Sequence, residues 1–203
     1  GGKQIWSDQN MLKNAAKQHV NNTSWEVALD ERIKILQEAS DNYVNADYTD
    51  VNALSNANIK TAITERKIEI DKLKVYASGA ALTTIGNTTG DKLAAAVEDR
   101  KKLIEKASLH FSSNEINNLK TESNNVIETK LNENKNKYND MATEYNALME
   151  TTLTYEWASQ QPLNYGQLAE LLKEAKQKRD TLKLKFESIT GRQPTNIGNA
   201  SVK

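Results

Sequence analysis

The chain has 203 residues with 27 acidic and 27 basic side chains, so its formal net charge is zero and no excess charge draws it to nucleic acid or to an acidic membrane. Hydrophobic residues make up 37% of the chain, fewer than in a typical compact globular domain. The absence of cysteine excludes disulfides, thiolate catalysis and cysteine-ligated zinc. With two prolines and eight glycines, long stretches lack helix breakers, and the composition favours helices.

Three helices with clear starting signals are predicted in the first part of the chain. A short helix covers residues 7–20. Thr23 and Glu26 form a capping box, in which each side chain satisfies a backbone N–H of the other residue, and they start a helix that reaches about Asn45. A third helix is predicted over residues 50–77, with the aspartate at its first position as the cap.

Residues 78–90 interrupt this helical pattern. They include three glycines and no charged side chain, which is typical of a loop. We therefore predict a flexible loop at one end of a helical bundle. Leu82 and Ile85 are its large apolar residues, and we predict that they contact a partner or, weakly, a lipid surface.

The second part of the chain carries two heptad patterns, in which seam residues recur at alternating steps of four and three. After a helix at 91–110, the first pattern lies on a helix predicted over 113–159, and the second lies on a helix predicted over 164–190. Asn164 is placed to cap that last helix and Gly191 to end it. The seam positions are Ile127, Leu131, Asn134, Tyr138, Met141, Tyr145, Leu148, Thr152 and Tyr155 in the first pattern and Leu168, Leu172, Ala175, Arg179, Leu182, Phe186 and Ile189 in the second.

Together these patterns predict an all-α fold: an elongated antiparallel helical bundle with three or more helices in cross-section and coiled-coil-like heptad seams. A single helical-bundle domain is predicted over residues 1–190. Residues 191–203 show no period and are predicted to form a disordered tail. Leu148 and Leu182 are seam residues in this arrangement, so both are predicted to be buried.

No group of side chains in the sequence predicts an enzyme. The two histidines, His19 and His110, belong neither to the Glu-x-x-His pair of di-iron bundles nor to the His-Glu-x-x-His motif of zinc proteases. The glycines at 86 and 90 are separated by three residues, whereas a phosphate loop needs four. We predict no catalytic residue, no cofactor and no metal site.

Aromatic side chains concentrate on the predicted long helix and just beyond it. Tyrosine and tryptophan are enriched at the energetic centres of protein interfaces. The candidate interaction residues are Tyr138, Tyr145, Tyr155, Trp157 and Tyr165, together with Leu82 and Ile85. We predict a protein partner and no nucleic-acid partner. No stretch of the sequence is long and apolar enough to predict a transmembrane helix.

We interpret the chain as a non-enzymatic helical-bundle protein that is secreted by a bacterium or displayed on its surface, where it binds a host or partner protein as an adhesin does. Two alternatives stay open. One is a membrane-active helical toxin or a tip or translocator component of a secretion system; the other is an intracellular or phage structural scaffold, which would be cytoplasmic. The string Ile-Thr-Gly-Arg at residues 189–192, directly after a predicted helix, is similar to a four-residue segment of minor pilins of type IV secretion systems.

Overall fold

The computed structural model describes residues 22–157 and 159–194, and within those ranges it is all-α: 77% helix with no strand. The all-α prediction is therefore confirmed. The predicted helix over 7–20 lies outside the described residues. The α-helices, in chain order, are α1 (Asn22–Asp41), α2 (Asn56–Tyr76), α3 (Gly79–Gly86), α4 (Gly90–Ser108), α5 (Ser113–Leu119), α6 (Asn124–Met149) and α7 (Tyr165–Thr190).

The chain divides into two compact units, Gly1–Arg100 and Lys101–Lys203, and the boundary falls inside α4. The domain limits predicted from the sequence, 1–190 and 191–203, stay predictions. The same holds for the elongated shape of the molecule.

The start of α2 differs from the prediction. The Asp50 carboxylate accepts a backbone hydrogen bond at 2.9 Å, but it caps only a single 3-10 turn, Val51–Ala53. Leu54 is then extended, and the Ser55 hydroxyl caps α2 by accepting the N–H of Asn58 at 3.2 Å. Two caps compete within six residues, and the serine starts the long helix because it directly precedes an uninterrupted helical run.

The prediction of a loop at 78–90 is wrong. Residues Gly79–Gly86 form α3, and α4 begins at Gly90. Leu82 and Ile85 are half-buried and pack against an apolar cluster of the first unit, so they are not the exposed tip that the sequence suggested. The buried members of that cluster are Ile70, Leu73, Ala77, Ala81, Leu93 and Val97.

The glycines of this segment have structural roles in place of the predicted flexibility. Gly79 enters α3 with φ of 52°, a left-handed conformation that favours glycine. Gly86 is buried against the ring of Tyr43, and a Cβ at that position would lie 2.8 Å from two ring carbons. Both positions therefore need glycine for a specific backbone path or contact.

A buried arginine on α2, Arg66, connects three parts of the first unit. Its Nε donates to the carbonyl of Asn42 at 3.1 Å, and its Nη1 pairs with the Asp47 carboxylate at 2.7 Å. Its Nη2 donates to the carbonyls of Gly86 at 2.5 Å and of Thr88 at 3.0 Å. One guanidinium therefore donates hydrogen bonds both to the turn after α1 and to backbone carbonyls at the end of α3.

The Asp47 carboxylate extends this network to α4. Its second oxygen accepts the N–H of Gly90, the first residue of α4, at 2.6 Å. A carboxylate at a helix N-terminus also interacts favourably with the partial positive charge there. The Arg66–Asp47 pair thus joins α2, the turn after α1, and α4.

In the second unit, the single helix predicted over 113–159 is divided. The α5 helix ends at Leu119, and the Ser123 hydroxyl starts α6 by accepting the N–H of Val126. After Met149, residues 150–157 and 159–164 form an irregular connection. The sequence supplies a serine cap inside the predicted helix, and such a cap competes with helix continuation.

One asparagine side chain holds the connection after α6 in place. The Asn146 amide oxygen accepts hydrogen bonds from the Thr151 hydroxyl (2.7 Å) and the Leu153 N–H (2.8 Å), while its amide nitrogen donates to the Leu153 carbonyl (2.9 Å). Glu150 turns the chain with φ of 52°. These bonds end α6 although the heptad spacing continues to Tyr155.

The α6 and α7 helices run in the same direction. Leu168, near the start of α7, packs in a cluster with Tyr138, whereas Ala175, about two turns further on, packs with Leu148 near the end of α6. The connection at 150–164 has enough residues to run back along the length of α6 before α7 begins. The predicted antiparallel arrangement is wrong for this pair, because short connections favour antiparallel neighbours and this connection is long.

The main helix pair of the first unit has the same parallel arrangement. Arg32 of α1 donates to Asn56 at the start of α2 (2.7 Å), and Arg66 further along α2 donates to the carbonyl of Asn42 just past the end of α1 (3.1 Å). Contacts therefore advance along both helices together. Residues 42–55 form the returning connection, so this pair is not antiparallel either.

Candidate functional site

The two halves of α7 differ in their surroundings, although both follow the second heptad pattern. Leu168, Leu172 and Ala175 are buried within the second unit. Beyond them, Leu182 is 49% exposed, and the predicted burial of that residue is wrong. The physical reason is that α6 ends at Met149, close to the level of Ala175, so α7 continues past its partner helix.

The later heptad residues form what we call the exposed seam: Leu182, Phe186 and Ile189. Phe186 is 44% exposed and Ile189 is 77% exposed. They lie on the same stripe of α7 as the buried residues before them, because the heptad spacing is unbroken. The seam therefore continues the packing surface of the unit, and no helix in the described part of the chain covers it as α6 covers the first half of α7.

Lysines flank this seam on both sides. If Leu182 and Ile189 are d positions of the heptad, the e and g positions from residue 176 to 185 are Lys176, Lys178, Lys183 and Lys185. Lys176 forms an ion pair with Glu144 of α6 at 2.8 Å. In the described part of the chain, no ion pair joins the other three lysines.

Several predicted interaction residues meet in one aromatic cluster of the second unit. The Tyr155 ring stacks on His110 with centroids 4.8 Å apart and lies edge-on to Tyr138 (5.5 Å) and Trp157 (5.1 Å). The ammonium of Lys106 lies 3.9 Å from the centroid of the Trp157 ring. Aromatic contacts therefore fix the irregular connection after α6 against the rest of the second unit.

Burial assigns this cluster mainly to the core. Tyr138 and Tyr155 are buried, and burial raises the pKa of Tyr155 to about 12. Trp157 and Tyr145 are half-buried, whereas Tyr165 at the start of α7 is exposed. Tyr138, Tyr155 and Trp157 come together as the sequence suggested, but their contacts are mostly internal.

A cleft of about 470 Å³ lies beside this cluster, lined by residues of the α4–α5 turn, α6 and the start of α7. Its lining includes His110, Phe111, Tyr138, Gln160 and Tyr165, and among the described residues no aspartate, glutamate, lysine or arginine. His110 Nε2 lies 3.4 Å from the Trp157 carbonyl. The cleft offers amides, hydroxyls and aromatic rings, which can position an uncharged group.

A decrease in stability at mildly acidic pH is expected from His110. Burial lowers its pKa, the Trp157 carbonyl opposes this, and the charge of Lys106 lowers it further. The unfolded chain therefore binds a proton more readily, so the free energy of unfolding should decrease as the pH falls below about 6.5. The urea midpoints measured at about pH 7.5 and about pH 5.5 should differ less for His110→Gln than for the original chain. Both pH values lie above the range in which most carboxylates titrate. An equal decrease in both proteins would assign the effect to other groups.

Within residues 22–157 and 159–194, no three or more histidine, aspartate or glutamate side chains are grouped so as to hold a metal ion. No described helix is both long and apolar enough to cross a membrane. Comparisons with protein families, with curated proteins and with solved structures found no match to this chain.

The sequence alone does not reveal the exposed seam. The lysines at the flanks of the second heptad pattern are visible in the sequence, but their role depends on where α6 ends. The heptad continues across Met149, so its spacing carried no sign of that end. The residue that could have indicated the end of α6 is Asn146, because the hydrogen bonds of its side chain terminate the helix.

Proposed function

We propose that this chain is a protein-binding helical module that docks a helix of a partner protein onto the exposed seam. The observation that carries the proposal is the continuity of one heptad stripe, buried as far as Ala175 and exposed at Leu182, Phe186 and Ile189. Apolar residues at this spacing are the anchors used when helices dock side by side.

The proposed setting is a bacterial surface or secreted protein that binds a host or partner protein in the manner of an adhesin. A scaffold inside the cell or in a phage could use the same seam, and the identity of the bound partner distinguishes the two settings. The membrane-active alternative loses its motivating feature, because Leu82 and Ile85 pack against the apolar core of the first unit.

Photo-crosslinking from the seam tests the proposed function. A photoreactive phenylalanine analogue at position 186 should crosslink a defined partner from extracts or from target cells. The same analogue at position 184 is a matched control, because Leu184 lies on α7 outside the seam and is also exposed. Equal crosslinking from both positions would contradict seam docking.

The Leu182→Asp/Phe186→Asp variant should lose at least about 100-fold in affinity for the purified partner, because two central apolar anchors are replaced by charges. Its thermal midpoint should stay close to that of the original chain, since both side chains are exposed. Leu184→Asp should keep its affinity. Isothermal titration calorimetry and thermal unfolding measure the two quantities, and an unchanged affinity of the double variant would refute the proposal.

A further inference from the structure

We propose that the partner is an amphipathic helix with acidic residues at both flanks of its apolar stripe, and that it docks beyond the end of α6. This inference rests on the proposed function, and it specifies the chemistry of the partner. It places acidic side chains opposite Lys178, Lys183 and Lys185 and apolar side chains opposite the exposed seam.

The covered half of α7 shows the pairing within the chain itself. Where α6 lies against α7, the flanking Lys176 pairs with Glu144 at 2.8 Å, beside the apolar contacts of Leu172 and Ala175 with Leu148. This arrangement is the usual one in coiled coils, where opposite charges at the flanking positions select the partner. The helix that covers the first half of α7 thus supplies a carboxylate to a flanking lysine.

The exposed half of α7 repeats the lysines without the carboxylates. Lys178, Lys183 and Lys185 hold the flanking positions, and no ion pair involving them occurs in the part of the chain that the structure describes. Asp180, the nearest carboxylate in sequence to Lys178, forms its ion pair with Arg179 at 2.9 Å. A partner with acidic flanks would complete the pattern, and a partner with basic flanks would be repelled.

Charge disfavours a second copy of this chain as the occupant. In a parallel pair of coiled-coil helices, g positions face e positions of the partner, and in an antiparallel pair like positions face each other. Either arrangement of two copies of α7 would bring lysine against lysine at this seam. Like charges at such positions weaken the pairing.

The ends of the chain outside the described residues are also basic. Residues 1–21 contain three lysines and one aspartate, and residues 195–203 contain one lysine and no acidic side chain. Their charge does not complement the lysine flanks of the seam. The observations therefore favour a helix from another protein.

Three designed helical peptides of about four heptads test this inference on the full chain. All carry the same leucines and isoleucines at the a and d positions, and they differ only in having glutamate, glutamine or lysine at e and g. Fluorescence anisotropy should show the glutamate peptide binding about tenfold more tightly than the glutamine peptide, with the lysine peptide weakest. Raising the salt concentration should reduce the difference.

The outcomes separate this inference from the proposed function. Equal binding of the glutamate and glutamine peptides would overturn the acidic partner and leave helix docking intact. Binding of no peptide, together with equal crosslinking from positions 186 and 184, would remove both. Analytical ultracentrifugation of the chain alone gives a further outcome. A dimer that the Leu182→Asp/Phe186→Asp change converts to a monomer would identify a second copy as the occupant and overturn the inference.

A charge-reversal variant gives a second, independent measurement. Lys178→Glu/Lys183→Glu/Lys185→Glu should reverse the peptide preference, so that the lysine peptide binds about tenfold more tightly than the glutamate peptide. Lys173→Glu changes a charge on α7 away from the seam and should keep the original preference. A triple variant that folds normally and still prefers the glutamate peptide would refute the inference.

Discussion

Replacing Arg66 by alanine is expected to lower the free energy of unfolding of the first unit by about 3–5 kcal/mol. The change removes the donor for the carbonyls of Asn42 and Gly86 and leaves the Asp47 carboxylate without its cation. Buried acceptors without partners carry the full cost of lost hydration. Urea unfolding followed by circular dichroism measures the change.

The neighbouring Lys67 provides the control for Arg66. It is exposed, and its ion pair with Asp71 is long, at 3.9 Å. Lys67→Ala should change the free energy of unfolding by no more than about 0.5 kcal/mol. Arg66→Lys should be intermediate in its effect, because an ammonium keeps the charge but cannot reach several carbonyls in a planar fork. Equal unfolding midpoints for Arg66→Ala and Lys67→Ala would show that the network contributes little.

Leu148→Ala is expected to destabilise the second unit by about 2–5 kcal/mol, because it leaves a cavity between α6 and α7. Leu148 is 1% exposed and packs with Leu172 and Ala175. The same change at Leu182 should cost no more than about 0.5 kcal/mol, because no described helix covers that side chain.

The comparison of these two leucines tests where the packing surface ends. Both occupy heptad positions, so the sequence assigns them the same burial. Denaturant midpoints of the two variants, measured under the same conditions, should separate clearly. A cost at Leu182 as large as that at Leu148 would mean that α7 is covered along its whole length in solution, and the exposed seam would not exist.

Some helix ends follow directly from local signals in the sequence. Asn164 caps α7 as predicted, in a capping box with Gln167, and Gly191 ends α7 in a left-handed conformation; a second capping box, Ser112–Glu115, starts α5. Each depends on residues three or four apart, so the chemistry that defines it is contained within one helical turn. Such features do not depend on how distant parts of the chain meet.

Several of the wrong predictions concern features that depend on distant contacts. Residues 78–90 look like a loop by composition, but α3 forms there because Arg66 binds the Gly86 carbonyl and Tyr43 packs on Gly86. The predicted antiparallel direction of the helices was also wrong. A heptad pattern describes the packing surface of a helix and carries no information on the path of the connection between helices. Tyr155 is a further example. It is buried beside Tyr138 because the connection after α6 returns there, and its match to the heptad spacing is a coincidence.

The candidate site could be only half predicted for the same reason. The aromatic residues after α6 were recognised as a group, and Tyr138, Tyr155 and Trp157 do meet, although mainly inside the unit. The exposed seam was recognised as a heptad stripe but was assigned to the core. Its exposure follows from the position of Met149 at the end of α6, which is set by the hydrogen bonds of Asn146.

The parallel direction of α6 and α7 also determines how the second unit bears a mechanical load. A partner bound as proposed at the exposed seam would pull on the C-terminal end of α7, while the chain that leads into α6 would pull on the N-terminal end of α6. In a parallel pair these two points lie at opposite ends, so tension slides one helix along the other and loads all of their contacts together. An antiparallel hairpin pulled at its two termini would open one contact at a time. With the proposed partner docked at the exposed seam, the returning connection at 150–164 would place α6 and α7 under shear.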